Sequence, residues 1–305
     1  MSRDHASNRQ IIGGIEAGGT KFVCAVAINP ARVLDRHTVV TTTPDATLAE
    51  VVEFFRSAQR RFGRLRALGV ASFGPVELDL RSPDYGSITQ TPKAHWNHVP
   101  LVSRLREALD VPVGFDTDVN GAALGEGRDG AAAGLDHYIY VTVGTGIGAG
   151  LVSSGRLVHG KSHPEVGHML VPRHPDDDYR GACRFHGPCL EGLASAPALR
   201  ARWDCDPAGL PDDHPAWALQ THYLAAMCHN LTSLFAPQRI IVGGGVMLRE
   251  GLYENIRQNF LELAGGYFSW ISADNVDHYI AAPGHAGRSG EIGALILAER
   301  AFDTG

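Results

Sequence analysis

Between residues 137 and 158 an apolar, β-prone run enters Gly144-Thr145-Gly146-Ile147-Gly148, and a second apolar run leaves it at residues 150–158. Such runs read as strands, and glycines between them permit a tight turn, so the segment reads as a hairpin. Upstream, residues 111–115 form another short apolar strand. It is followed by Asp118 and then by a helix of small residues. A carboxylate near a glycine turn of phosphate size points to phosphoryl transfer.

The opening of the chain repeats the pattern. In residues 10–28, QIIGGIEAGGTKFVCAVAI, two apolar runs flank Glu16-Ala17-Gly18-Gly19-Thr20-Lys21. Backbone amides at Gly18 and Gly19 could cradle a phosphate, with Thr20 and Lys21 as further donors; an ordinary hairpin with a polar turn is the alternative. One glycine hairpin in each half implies an internal duplication. Apolar residues at helical spacing occupy 48–62, 99–109, 215–235, 252–263 and 290–302, alternating with strands at 67–73 and 239–242, and such alternation implies an α/β architecture. Residues 86–96, GSITQTPKAHW, are polar and turn-rich and read as a loop in reach of a ligand rather than core. The domain boundary falls near Asp118: an N-terminal α/β domain over 1–118, and a larger α/β domain over 119–289. The last helix, about 290–305, returns to the first domain.

At 305 residues the chain can bury two ordinary cores. Its net charge of −6, with no long basic run, argues against a nucleic-acid partner. The first ten residues are polar and lack a leader's apolar core, and no apolar run approaches the roughly 18 residues of a membrane helix. Of five cysteines only Cys183 and Cys189 lie close together, which fits a reducing cytoplasm better than a disulfide framework.

Three nucleotide readings compete. No stretch provides the G-x-x-x-x-G-K-[ST] of a Walker loop. Gly144, Gly146 and Ala149 meet a dinucleotide fingerprint literally, with Glu165 about 20 residues on, but that fingerprint requires a helix where a strand is read here. The third reading is two glycine hairpins gripping ATP from opposite sides of a cleft, with the Gly243-Gly244-Gly245 turn near the nucleoside. It uses all three glycine sites. Asp118 reads equally as a general base or as the cap of a helix starting near Asn120. Cys183-x₂-His186-x₂-Cys189 places three soft ligands within seven residues, and from spacing alone a metal site and a plain loop both stay open. Cys24, Cys205 and Cys228 read as core thiols.

Together the motifs GGIEAGGTKF, SFGPV, TPKAHW, DTDVNGAALGE, GTGIGAG, SHPEVGH, CRFHGPCLEGLAS and IIVGGGVM resemble the ROK family of sugar kinases and repressors, and within it the bacterial fructokinases. The resemblance covers roughly residues 10–302 and implies the duplicated actin-like ATPase and hexokinase fold, two domains around a cleft. It implies that Asp118 is the base that takes the proton of the attacking sugar hydroxyl. Glu16 stands where the wider superfamily has Asp, near the Mg²⁺–phosphate. Gly18, Gly19, Thr20, Lys21, Gly144, Thr145 and Gly146 match phosphate-binding positions, and Gly244 and Gly245 match the nucleoside turn. Gly74, Thr91, Lys93, Glu165, His168 and Glu191 match sugar-contacting positions. Lys93 replaces the Asn that glucokinase-like relatives tend to carry, which favours fructose. The family's zinc site implies Cys183, His186, Cys189 and His168 as ligands, with His163 an alternative fourth and His174 a weaker one.

The expected activity is transfer of the ATP γ-phosphoryl group to D-fructose, with mannose, glucose or an N-acetylhexosamine as alternative acceptors. A cytoplasmic homodimer is what the family implies. Two rivals remain. One is a sugar-sensing repressor; such relatives carry a DNA-binding helix-turn-helix ahead of the kinase-like domain, and with the first hairpin starting by Ile11 none is expected here. The other is a nicotinamide-dependent oxidoreductase, resting on the GTGIGA match alone.

Overall fold

The computed structural model describes residues 10–303, so most of the polar opening segment read above for a leader lies outside the described residues. Two compact units form. One holds the chain up to Gly130, His159–His163 and the segment from Arg288 onward; the other holds Ala131–Val158 and Pro164–Gly287.

In the first unit β1 (Gln10–Ala17), β2 (Lys21–Asn29) and β3 (Arg32–Val40) run antiparallel. They are followed by α1 (Pro44–Phe62), β4 (Arg64–Ser72), α2 (Leu101–Leu109), β5 (Val113–Thr117) and α3 (Asp118–Asp129). The sheet order is β3-β2-β1-β4-β5, with β4 parallel to both β1 and β5. Helix α1 begins earlier than its apolar spacing indicates, because Thr43 caps it by accepting the Ala46 N–H and Pro44 occupies the first turn.

The second unit contains β6 (Tyr138–Val143), β7 (Ile147–Ser153), β8 (Arg156–Leu157), α4 (Leu190–Ala194), α5 (Ala196–Trp203) and α6 (Pro215–Phe235). It continues with β9 (Arg239–Gly243), α7 (Leu252–Ala264), α8 (Val276–Tyr279) and β10 (Ile280–Ala281). The single strand expected over 150–158 is in fact two, broken where Ser154 and Gly155 both take positive φ. Sheet order is β10-β9-β6-β7-β8. Counted from β8 this is the first sheet again: three antiparallel strands and then two parallel ones. The duplication expected from two hairpins therefore extends to the strand order of both sheets.

The chain then rejoins the first unit as α9 (Ser289–Asp303). Alternation along β1 sends Ile11 and Ile15 toward Val51 and Phe55 of α1, and Ile12 toward Leu295 and Ala298 of α9. Helices α9 and α3 pack backbone to backbone: a Cβ on Gly293 would sit 1.7 Å from the Gly121 carbonyl oxygen. In the second unit Tyr223, Met227 and Leu231 of α6 share one core with Val141 of β6, Val242 of β9 and Phe260 of α7.

The segment at 86–96 corrects the sequence reading. It is irregular, but Ile88 and Trp96 are fully buried. The Trp96 ring packs 5.4 Å from Phe22 and 5.6 Å from Phe73, and its Nε1 donates to the Thr42 carbonyl. Two large side chains anchor a loop whose other residues are polar or small, and a composition average hides them.

Candidate functional site

The first glycine turn follows β1 because Gly18 closes it, donating its N–H to the Lys21 carbonyl. Thr41 reinforces it through a hydroxyl bond to the Gly18 carbonyl and a backbone bond to Thr20. Thr20 and Lys21 are left exposed, and Gly19 has open space on its Cβ side. Lys93 lies beside this turn, with its Nζ 3.4 Å from the Thr41 carbonyl. Thr91 is buried, its N–H bonded to Asn97 and its hydroxyl accepting from the Lys93 N–H.

Glu16 ends β1 against the start of α9. A Cβ on Gly290 would stand 2.5 Å from the Glu16 carboxyl carbon, and the Glu291 N–H donates to that carboxylate. Burial raises the Glu16 carboxyl to about 7; the charges of Asp118 and Glu291 add to the rise, while Lys21 and the Glu291 N–H oppose it. Asp118 is the first residue of α3, and it is not the cap. Thr117 holds that place, its hydroxyl accepting the Asn120 N–H at 3.1 Å. Burial lifts the Asp118 carboxyl to about 6 against the lowering effect of the Val119 N–H, which it accepts at 2.9 Å. A carboxylate with that value is ionised at neutral pH yet still able to take a proton.

Several partners of these groups escape a reading of the sequence. Glu291 is buried and gripped by Arg36 through two bonds of 2.7 and 2.9 Å. Asp116, also buried, receives Asn120 Nδ2 at 2.6 Å and lies 3.0 Å from His159 Nε2, and this contact raises the His159 imidazole. The one available signal was a lone carboxylate in the apolar run of residues 290–298. Gly74 lies beside His163, whose Nε2 accepts the Val76 N–H at 3.2 Å.

In the second unit the Gly144 N–H donates to the Gly146 carbonyl, and Ala196 N–H donates to the Gly144 carbonyl at 2.8 Å. Thr145 is exposed at the tip. A Cβ on Gly144 would be 3.9 Å from the Gly245 nitrogen, so the second and third glycine turns are neighbours. Gly244 takes φ +95, and a Cβ there would meet the Val143 carbonyl oxygen at 2.3 Å, so only glycine fits. Strand β7 begins at Ile147, so no helix follows the 144–148 glycines and the dinucleotide fingerprint fails.

His168, Cys183, His186 and Cys189 come together, their ligand atoms all within 4.8 Å of one another. Cys183 Sγ is 3.9 Å from His168 Nδ1 and 3.8 Å from His186 Nδ1, and Cys189 Sγ is 3.6 Å from His168 Nδ1. Neighbouring donors around a tetrahedral zinc with two thiolates and two imidazoles stand roughly 3.4–3.8 Å apart, so the set has the donor types for such an ion at spacings near to somewhat wider than it needs. His163 is not in the group, and His174 packs on His222 instead. With His168 Nδ1 turned to the sulfurs, its Nε2 is left for another partner. Glu165 is exposed at the head of the turn that carries His168. Glu191 accepts the Ile147 N–H at 3.0 Å, a contact with the glycine turn that its place in the motif did not imply.

The ROK family model matches residues 12–301. The chain belongs to the ROK family. This ROK chain is 46% identical over 294 residues to a putative fructokinase of Bacillus subtilis, covering 96% of each. It is 42% identical to a fructokinase of Zymomonas mobilis, covering 96% of this chain and 97% of the relative. Among solved structures it superimposes on a ROK glucokinase of Streptomyces griseus in complex with glucose and AMPPNP. That match has a TM-score of 0.72 and 26% identity, over 95% of this chain and 99% of the other. The two mixed sheets are those of the actin-like sugar-kinase fold.

Proposed function

We propose that this ROK protein is an ATP:hexose phosphotransferase that converts D-fructose to D-fructose 6-phosphate. What carries the reading is near-full-length likeness to fructokinases, joined to a raised carboxylate, Asp118, at the start of α3.

In this reading Asp118 accepts the hydroxyl proton of the hexose as that oxygen bonds to the γ-phosphorus and the bond to the β-phosphate oxygen breaks, leaving ADP. Most of the remaining assistance to phosphoryl transfer is positioning and charge neutralisation. Amides of the 18–19 and 144–146 turns, with Thr20, Lys21 and Thr145, supply donors to the phosphates, and Gly244 and Gly245 lie at the nucleoside. Glu16 serves the Mg²⁺ that accompanies ATP; a nearby cation favours its ionised form. Glu165, His168 Nε2 and Glu191 contact the hexose, with Gly74, Thr91 and Lys93. Zn²⁺ fits His168, Cys183, His186 and Cys189, where it supplies structural order and no open coordination position.

Among the described residues no helix is long and apolar enough to cross a membrane. Family membership supports a cytoplasmic homodimer, which sedimentation of the purified protein tests. The decisive experiment is ADP release over a panel of fructose, mannose, glucose and N-acetylhexosamines. Fructose should give the highest kcat/KM. A different preferred sugar corrects the acceptor, and no ADP release with any hexose removes the kinase reading.

A further inference from the structure

The carboxylate of Glu191 lies beneath the second glycine turn. Its Oε2 accepts the Ile147 N–H at 3.0 Å, and a Cβ on Gly146 would stand 2.8 Å from that same oxygen. Glu191 is the second residue of α4, and the N-cap of that helix is Cys189, one of the four clustered soft donors. Two positions of chain thus separate a metal-type ligand from the side chain that holds the turn.

Other bonds tie the same two features together. Leu190 N–H donates to the Met169 carbonyl next to His168, and Ala182 N–H donates to the Gly192 carbonyl next to Cys183. Gly167 packs so closely on β7 that a Cβ there would sit 1.9 Å from the Ile147 carbonyl oxygen. The turn needs such support. Beyond the β6–β7 ladder, Gly144 to Gly146 bridges the turn, and glycine has more conformational freedom to lose than any other residue. A buttressing carboxylate fixes the Ile147 amide and, with it, the direction in which the turn presents its donors.

We propose that Glu191 is a positioning residue for the 144–146 turn and that the Cys/His group acts on nucleotide binding through it. Loss of the metal then weakens the grip on ADP as well as on hexose. The proposal rests on reading that turn as a phosphate cradle. Glu191 Oε2 takes the Ile147 N–H, and in this proposal Oε1 takes a sugar hydroxyl, so that one carboxylate serves both ligands.

The test is titration of the zinc-loaded protein with MgADP in the absence of any sugar, so that a hexose role is silent. Glu191→Ala should weaken ADP binding about 10-fold or more, the worth of a hydrogen bond to a charged acceptor. Glu191→Gln should recover affinity to within about 3-fold of the parent, because its amide oxygen still accepts the Ile147 N–H. Hydrogen exchange should show the Ile147 amide losing protection in Glu191→Ala and in metal-stripped parent protein. Stripping Glu191→Ala should add little, since both changes break one connection. Unchanged ADP affinity and an unchanged Ile147 amide in Glu191→Ala, with fructose binding lost, would make Glu191 a hexose ligand only and overturn the proposal. If the parent protein fails to bind MgADP, the kinase reading falls, and Ile147 exchange alone decides the buttress. Should Glu191→Ala not fold, Glu191→Asp, a methylene too short for the amide, is measured in its place.

Discussion

The carboxylate of Glu16 accepts the backbone N–H of Glu291, whose own carboxylate is held by Arg36. Strand β1 and helix α9, at opposite ends of the chain, thereby meet at one acidic site with Asp118 nearby. The Arg36 pair neutralises one of the three carboxylates; the other two both carry raised values. A site that stores two reluctant anions is suited to receive cationic or proton-bearing partners.

The first prediction concerns stability against pH. Glu16 rises from 4.5 unfolded to about 7 folded, so the folded chain binds more protons between those values and loses stability as pH rises through them. Glu16→Gln removes that loss. The variant should melt a few degrees above the parent at pH 8 and close to it at pH 4. A thermal scan at both pH values checks this, and a variant less stable at pH 8 would show that the Glu291 N–H bond outweighs the burial of charge.

Asp118→Asn keeps the size of the side chain and removes the proton acceptor. Turnover should fall by about 10²-fold or more while MgADP affinity stays within about 2-fold. In the parent, kcat/KM should rise with pH through about 6 as Asp118 ionises, and the residual activity of the variant should lack that limb. Near-normal turnover in a folded variant removes Asp118 from the role of base. The helix itself should survive, because Thr117 makes the cap.

Glu165→Gln should weaken fructose binding about 10-fold and leave ADP binding unchanged, since an ionised carboxylate accepts stronger bonds from sugar hydroxyls than an amide oxygen does. Paired calorimetric titrations with fructose and with ADP read the difference. Loss of ADP binding with fructose binding intact would place Glu165 in the wrong pocket.

What the sequence shows and hides follows from range. The hairpins at 10–28 and 138–153 were legible because β-prone runs flank glycines, which is local information. Helix α6 was legible because it is a long and mostly apolar run of 21 residues, more than a strand takes. Strand β3 was not: it lies at a sheet edge, and among its residues only Val39 is buried, so no alternation marks it. Trp96 belongs to the core through Phe22 and Phe73, which are distant in sequence. Arg36 and Glu291 are 255 residues apart, and a charge pair of that separation leaves no local pattern. Glu191 was legible by motif as a hexose contact, yet its bond to Ile147 depends on how the 182–192 loop folds back on β7.

The last prediction concerns the metal. Cys183, His186 and Cys189 lie in a loop with Gly187 and Pro188, where Phe185 and His186 are exposed and few apolar contacts hold the backbone. Metal–ligand bonds can supply the missing order, since structural zinc contributes roughly 10 kcal/mol in small domains. Elemental analysis of protein purified without chelators should give about one zinc per chain, as a closed four-ligand site implies. The Cys183→Ser, Cys189→Ser double variant should lose the zinc and fructose phosphorylation, because His168 then loses the ring orientation that turns Nε2 toward the hexose. Circular dichroism should still report a folded chain, since the cores around α6 and around β1 include neither Cys183 nor Cys189. Full activity in that double variant, or active protein without zinc, would show that the four donors hold their places without an ion.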